Sequence, residues 1–300
     1  MNESNSQNGS ADSSAAMCCA QFYEQDIVQE LMGGSFHPGG EQLSRKLVAG
    51  LGLKPGAQIL DVACGVGTTT RIMAGDFGFN ATGLDYSDVN VQKATTAAQA
   101  GPQTEAEPCC APGDPCCTPE NGLSQLGGQP QAVTSGTAEF IQGSADALPS
   151  DDASFDGLTC ECAVSTFADQ PEAAKQFFRV LKPGGVFGMT DMVVNGELPT
   201  DFAEKAAPWT CVAKARSIEG YKSLFESAGF QLATHEDHSD SLLELATEMK
   251  RKLVMAGMGK ALGALPALGM NLSEMRAMLS QSRELVKAGT IQYGLLIFKK

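Results

Sequence analysis

The stretch AQILDVACGVG, residues 57–67, is a short run rich in Ile, Leu and Val that stops on glycines and passes directly into TTTRIMAGDF, residues 68–77. The first half has the character of a buried strand, and the second places apolar residues at helical spacing. Glycine at the hand-over lets the backbone come close to a ligand held at the helix N-terminus, where unpaired N–H groups and the helix dipole converge. The loop departs from the dinucleotide fingerprint, because Thr70 stands where a third small residue is expected and Ala63 where a glycine would be. A pyrophosphate is therefore not the obvious ligand.

Outward from this loop the chain alternates. ATGLDYS reads as a strand, VNVQKATTAAQA as a helix, AEFIQG and FDGLTCEC as strands, AAKQFFRVL as a helix and GGVFGMTDMV as a strand. Such alternation predicts an α/β fold, a largely parallel sheet wrapped by helices on both faces. Ahead of it, residues 1–20 are mostly Asn, Ser and Ala and predict a disordered arm. FYEQDIVQELMGG and GEQLSRKLVAGLGL then predict an N-terminal helical cap, broken at His37-Pro38-Gly39-Gly40, and residues 21–300 form one domain. Two inserts interrupt the alternation: a mobile cysteine-rich segment at 101–137 and a helical segment at 239–288. TIQYGLLIFKK closes the chain as a strand.

A net charge of −14 repels phosphate backbones and anionic headgroups, so no nucleic-acid or membrane partner is expected. No apolar run approaches the length of a membrane span and the N-terminus lacks a signal-peptide pattern, so the expected location is cytoplasmic. The ten cysteines are too sparse for a disulfide scaffold in 300 residues. Six form adjacent pairs, Cys18-Cys19, Cys109-Cys110 and Cys116-Cys117.

The ligand loop carries its own chemistry. Asp85 ends the second strand, where its carboxylate is suited to accept both hydroxyls of a ribose, and Asp146-Ala147 follow the third strand, where an adenine amino group would be held. From about Gly52 to Phe230 these pieces resemble the class I S-adenosylmethionine-dependent methyltransferases: DVACGVG for the acid and glycine loop, GLDYS for the ribose acid, Asp146 for the adenine side, and RVLKPGG at 179–185 before the fifth strand. The resemblance implies a Rossmann-like seven-stranded sheet whose last strand, TIQYGLLIFKK, runs antiparallel. It implies S-adenosyl-L-methionine as cofactor, with Asp61, Ala63, Gly65, Gly67, Asp85, Tyr86, Asp146 and Ala147 around it.

Within that family the chain is similar to the arsenite methyltransferases. Cys162 lies at their spacing before RVL and Cys211 at their spacing before the AGF turn, and ECAVS (161–165) with EDHS (236–239) matches a related branch. The resemblance implies that Cys162 and Cys211 ligate trivalent arsenic, with a thiol reductant and a small-molecule acceptor as partner. The family's N-terminal thiol has no aligned match in this chain, and Cys18 or Cys19 is read as able to serve in its place. Cys109, Cys110, Cys116 and Cys117 are read as a capture arm for soft metal ions, the alternative being a plain flexible insert. Thiolates suit this task because trivalent arsenic is thiophilic and keeps a lone pair that attacks a sulfonium methyl without a general base. The alternatives are another soft metalloid, an organoarsenical, a thiol or a carbon acid as acceptor, or metalloid binding without turnover. Cys160 is expected in the core, the strand ending there so that Cys162 turns over the sheet edge. His235 and His238 are read as part of a capped strand-to-helix turn, and Met-bearing KLVMAGMGKALGALPALGM as a helical lid.

Overall fold

The structure, a computed structural model, describes residues 37–100, 136–206, 212, 214–256 and 272–300. FYEQDIVQELMGG, most of the cysteine-rich insert and the thiols Cys18, Cys19, Cys109, Cys110, Cys116, Cys117 and Cys211 lie outside the described residues.

The expected alternation forms. In chain order the elements are α1 (Gly40–Gly50), β1 (Gln58–Val62), α2 (Thr68–Phe77), β2 (Asn80–Asp85), α3 (Asp88–Gln99), β3 (Thr137–Gln142), β4 (Phe155–Glu161), α4 (Gln170–Val180), β5 (Leu181–Val194), α5 (Thr200–Ala206), α6 (Ile218–Ser227), β6 (Gln231–Asp237), α7 (Ser239–Ala256), α8 (Leu272–Lys287) and β7 (Ile291–Lys299). A single 3-10 turn, Val164–Thr166, follows β4. Helix starts are set locally: Ser87, Asp169 and Ser217 each accept a hydrogen bond from a backbone N–H three residues on, and Pro171 occupies the first turn of α4.

The strands make one seven-stranded sheet in the order β3-β2-β1-β4-β5-β7-β6. β1 to β5 pair in parallel, whereas β7 runs antiparallel to both β5 and β6. Crossovers carry the chain outward from β1 to β2 and β3, and then from β4 to β5 in the other direction. The switch point lies between β1 and β4, and their carboxyl ends flank the crevice in which ligands of open α/β sheets bind.

On one face of the sheet, Phe177, Phe225 and Phe230 pack with Phe187 of β5 and Phe298 of β7, ring centroids 4.8 to 6.4 Å apart. Burying each such ring is worth roughly 1.5–3 kcal/mol. On the other face Leu43 and Leu47 of α1 cover Tyr293, Leu295 and Ile297 of β7. Of the helical insert, α7 and α8 pack on each other and on β7, with Leu242, Met278, Leu285 and Val286 around Phe202, Val212 and Ile291. No described helix is long and apolar enough to cross a membrane.

Two boundaries differ from the expectation. Thr137 belongs to β3, because its position in register with Asn80 lets the parallel ladder begin there. The strand β4 does not stop at Cys160: Glu161 still pairs with Thr190, and the chain turns at Cys162 itself, which adopts a left-handed backbone with φ 52°.

Candidate active site

β1 and the loop behind it form the floor of the crevice. Asp61 is 2% exposed, and its two oxygens accept hydrogen bonds from Thr159 Oγ1 at 2.9 Å and Thr70 Oγ1 at 2.6 Å. Burial, with Glu161 adding to it, pushes its carboxyl up to about 7. Asp61 therefore braces strand against helix from beneath. Ala63 takes the left-handed conformation, φ 60°, that its missing glycine would have adopted freely. Gly67 caps α2 with φ 76°, and a Cβ there would fall 2.4 Å from the Phe140 ring, so close packing demands this glycine. Cys64 is half-buried, and burial with the Asp61 and Asp85 carboxylates holds its thiol well above the ordinary range.

At the carboxyl end of β2, Asp85 is 7% exposed and faces this loop. Its Oδ2 accepts Gly65 N–H at 2.8 Å, and its Oδ1 accepts Ser87 N–H at 2.9 Å and Asn90 Nδ2–H at 3.3 Å. Beside it, the Asn90 Oδ1 acceptor is buried without a hydrogen-bond partner among the described residues, and Tyr86 presents a ring that is 51% exposed. Beyond β3, Ser144 and Ala147 close a tight turn in which Ser144 Oγ donates to Asp146. Arg179, from the RVLKPGG run, supports the stretch after that turn by donating to the carbonyls of Leu148 and Ser150 at 3.0 and 2.7 Å and to Asp152 at 2.8 Å. A nucleoside fits this donor set: carboxylate and unpaired amide oxygen for a diol, an aromatic face for a base, and an acidic turn for an exocyclic amine.

The carboxyl end of β4 brings together groups that the sequence reading did not join. Glu161, its side chain 6% exposed, accepts from Thr69 Oγ1 at 2.7 Å and Ser44 Oγ at 3.3 Å and lies 3.5 Å from His37 Nε2. His37 Nδ1 is 3.1 Å from the Pro38 carbonyl, which only accepts, so Nδ1 carries the hydrogen. His37, read as part of a chain break, Ser44 and Thr69 are thus tied to the residue before Cys162. The only sequence signal was a charged residue at the end of a buried strand.

Cys160 is 0% exposed in the phenylalanine-rich core, and burial pushes its thiol well up. Cys162 packs on the other face of the sheet, against the cluster of Leu43, Leu47 and Tyr293. The two thiols separate as the turn at 162 requires. EDHS is a capped turn: Asp237 Oδ1 accepts Ser239 N–H at 2.9 Å and the Ser239 hydroxyl, and Ser239 Oγ in turn accepts Tyr293 N–H. Among the described residues no three His, Cys, Asp or Glu side chains form a metal-binding group.

The comparisons agree with this fold. A cyclopropane synthase from Mycobacterium tuberculosis superposes with a TM-score of 0.70 at 14% identity, covering 98% of this chain and 100% of that one. A 2-methyl-6-phytyl-1,4-hydroquinone methyltransferase of Synechocystis is 31% identical over 185 residues, 59% of this chain and 47% of that protein. A sterol 24-C-methyltransferase of Gibberella zeae is 28% identical over 211 residues, 68% of this chain and 47% of its own. The chain spans about half the length of these two curated relatives. The family described as "Methyltransferase domain" matches residues 39–235, most of the crevice included, and the chain belongs to that family.

Proposed function

We propose that this chain transfers the methyl group of S-adenosyl-L-methionine to trivalent arsenic held by thiols, Cys162 first among them. The observation that carries the reading is the placement of Cys162, at the carboxyl end of β4 beside the switch-point crevice, turned away from the core that holds Cys160. The cofactor, when bound, supplies an electrophilic methyl on a sulfonium. Asp85 and Asn90 would hold the ribose, Tyr86 would offer its ring to the base, and Asp146 with Ala147 would take the amino group of the base.

In this reading Cys162 displaces a hydroxide from arsenic and Cys211 a second, with Cys18 or Cys19 for the third. The arsenic lone pair forms the As–C bond while the methyl–sulfur bond breaks and its electron pair stays on the departing sulfur. Arsenic thereby becomes formally pentavalent. Two equivalents of a small thiol reductant return it to the trivalent state as they become a disulfide; one As–S bond breaks, the released cysteine takes one of their two protons and the other passes to water. Leu43, Leu47 and Tyr293 give the half-buried thiol an apolar wall, which favours a step in which charge is dispersed.

A second reading keeps the methyl donor and changes the acceptor to an apolar organic molecule. It is favoured by the apolar surroundings of Cys162 and by relatives named for hydroquinone and sterol methylation. One experiment separates the two: incubation with S-adenosyl-L-methionine, a thiol reductant and a panel of arsenite, organoarsenicals, hydroquinones and sterols, with products resolved by mass. Methylated arsenic supports the first reading. A methylated quinol or sterol with arsenite untouched replaces it.

A further inference from the structure

We infer that Ser165 and Asp191 are positioning residues that hold the Cys162 thiol on its side of the sheet, an inference that rests on the reading of Cys162 as an acceptor ligand. Nothing in Cys162 itself favours its backbone. A left-handed conformation is unfavourable for a non-glycine residue, and an extended one would continue β4 and return the side chain to the face that holds Cys160.

What holds the turn comes from two consecutive residues of β5. Thr190 O accepts Cys162 N–H at 2.7 Å. Asp191, 0% exposed, spends its carboxylate on the turn, with Oδ2 accepting Ser165 N–H at 2.9 Å and Oδ1 accepting Ser165 Oγ–H at 2.6 Å and Met192 N–H at 2.7 Å. Ser165 is itself 2% exposed. A carboxylate this deep is costly unless every oxygen is engaged, and here the engagement runs to the turn that begins with Cys162. Thr190 is fixed from the other side, where Tyr293 donates its hydroxyl to Thr190 Oγ1 at 2.9 Å. Tyr293 also packs in the cluster that receives Cys162. The turn is thus held by β5, and β5 is held by β7.

The test uses Ser165→Ala and Asp191→Asn in the full chain. Ser165→Ala leaves both Asp191 oxygens a backbone N–H each, so it folds even if Asp191→Asn does not. Cys162 labelling by iodoacetamide, quantified by tandem mass spectrometry, is expected to speed up roughly tenfold in Ser165→Ala, the equivalent of about 1.4 kcal/mol. Arsenite turnover at saturating S-adenosyl-L-methionine is expected to fall by a similar factor, with calorimetric cofactor affinity within about twofold of the parent. Unchanged labelling in Ser165→Ala overturns the inference. A Cys162→Ser variant run alongside reports on the function reading alone: if it keeps full arsenite activity that reading falls, while the labelling rate, which needs no turnover, still decides whether Ser165 and Asp191 hold the thiol.

Discussion

Thr69 Oγ1 donates a 2.7 Å hydrogen bond to Glu161, so the first turn of α2 is tied to the residue that precedes Cys162. The same carboxylate meets Ser44 and His37, and four segments of chain converge on one charge. Glu161→Gln is expected to cost about 1.5–3 kcal/mol of stability, the worth of hydrogen bonds to a buried charge. In a double-mutant cycle with His37→Ala, chemical denaturation should give a coupling of about 0.5 kcal/mol or more. Strict additivity would mean that the two residues do not act as a unit.

Asp85→Ala is expected to weaken S-adenosyl-L-methionine binding by about 1–3 kcal/mol, the loss of charge-assisted hydrogen bonds. Asn90→Ala, which removes the unpaired Oδ1, should weaken it by about 1 kcal/mol. Calorimetry decides, and full affinity in Asp85→Ala removes this carboxylate from the cofactor site.

Stability is expected to fall as pH rises from about 4 to 7. Asp61 and Asp191 titrate near 3.8 when unfolded and are pushed up to about 7 by burial in the fold. The folded chain therefore keeps protons that the unfolded chain has lost, which lowers stability across that window by up to about 1.4 kcal/mol per pH unit for each group. Above 7 the effect levels off. Asp156, Glu172 and Glu236, held below their usual range by their partners, act with opposite sign, and their contribution begins to fall at the acid end of that window and is lost below it. Urea denaturation at pH 4.5, 6 and 7.5 checks the slope, which should flatten in Asp61→Asn.

The two thiols after the fourth strand should part company on substitution. Cys162→Ser is expected to abolish arsenite methylation with little change in melting temperature, whereas Cys160→Ser costs about 1–3 kcal/mol if its hydroxyl finds no partner in the core. Turnover beside melting curves for the two variants tests the assignment.

Ala63→Gly should stabilise the chain by up to about 1.6 kcal/mol. It relieves a left-handed alanine, an advantage of about 1–2 kcal/mol, against about 0.4–1 kcal/mol of extra freedom gained by the unfolded chain. A lower melting temperature would show that the alanine methyl has a packing role that outweighs its strain.

Much of the frame was legible because it is local. The β1–α2 hand-over, the capped helices and the alternation of short apolar runs with helical ones are written in neighbouring residues, and TTTRIMAGDF became α2 residue for residue. Asp85 was legible too, since a strand end fixes where its carboxylate sits. His37 was not: its partners Ser44 and Glu161 are 7 and 124 positions away, and the second distance closes only when the sheet forms. Gly67 gave the right location for a partly different reason, as the Phe140 ring rather than a ligand excludes its side chain. The split between Cys160 and Cys162 was expected from the wrong strand end, because the alternation rule alone does not reveal that β4 runs one residue further before a left-handed turn.

The antiparallel slot filled by β7 also sets the order of assembly during synthesis. Among the described strands β6 pairs with β7 alone, and β7 reaches β5 and β6 only after residues 238–290 have been made. At a ribosomal pace of about 5–20 residues per second, that stretch takes roughly 3–10 s. For those seconds the outer edge of β5 stands open beside an unattached β6, a nascent chain with a template for misassociation and no strand of its own to close it.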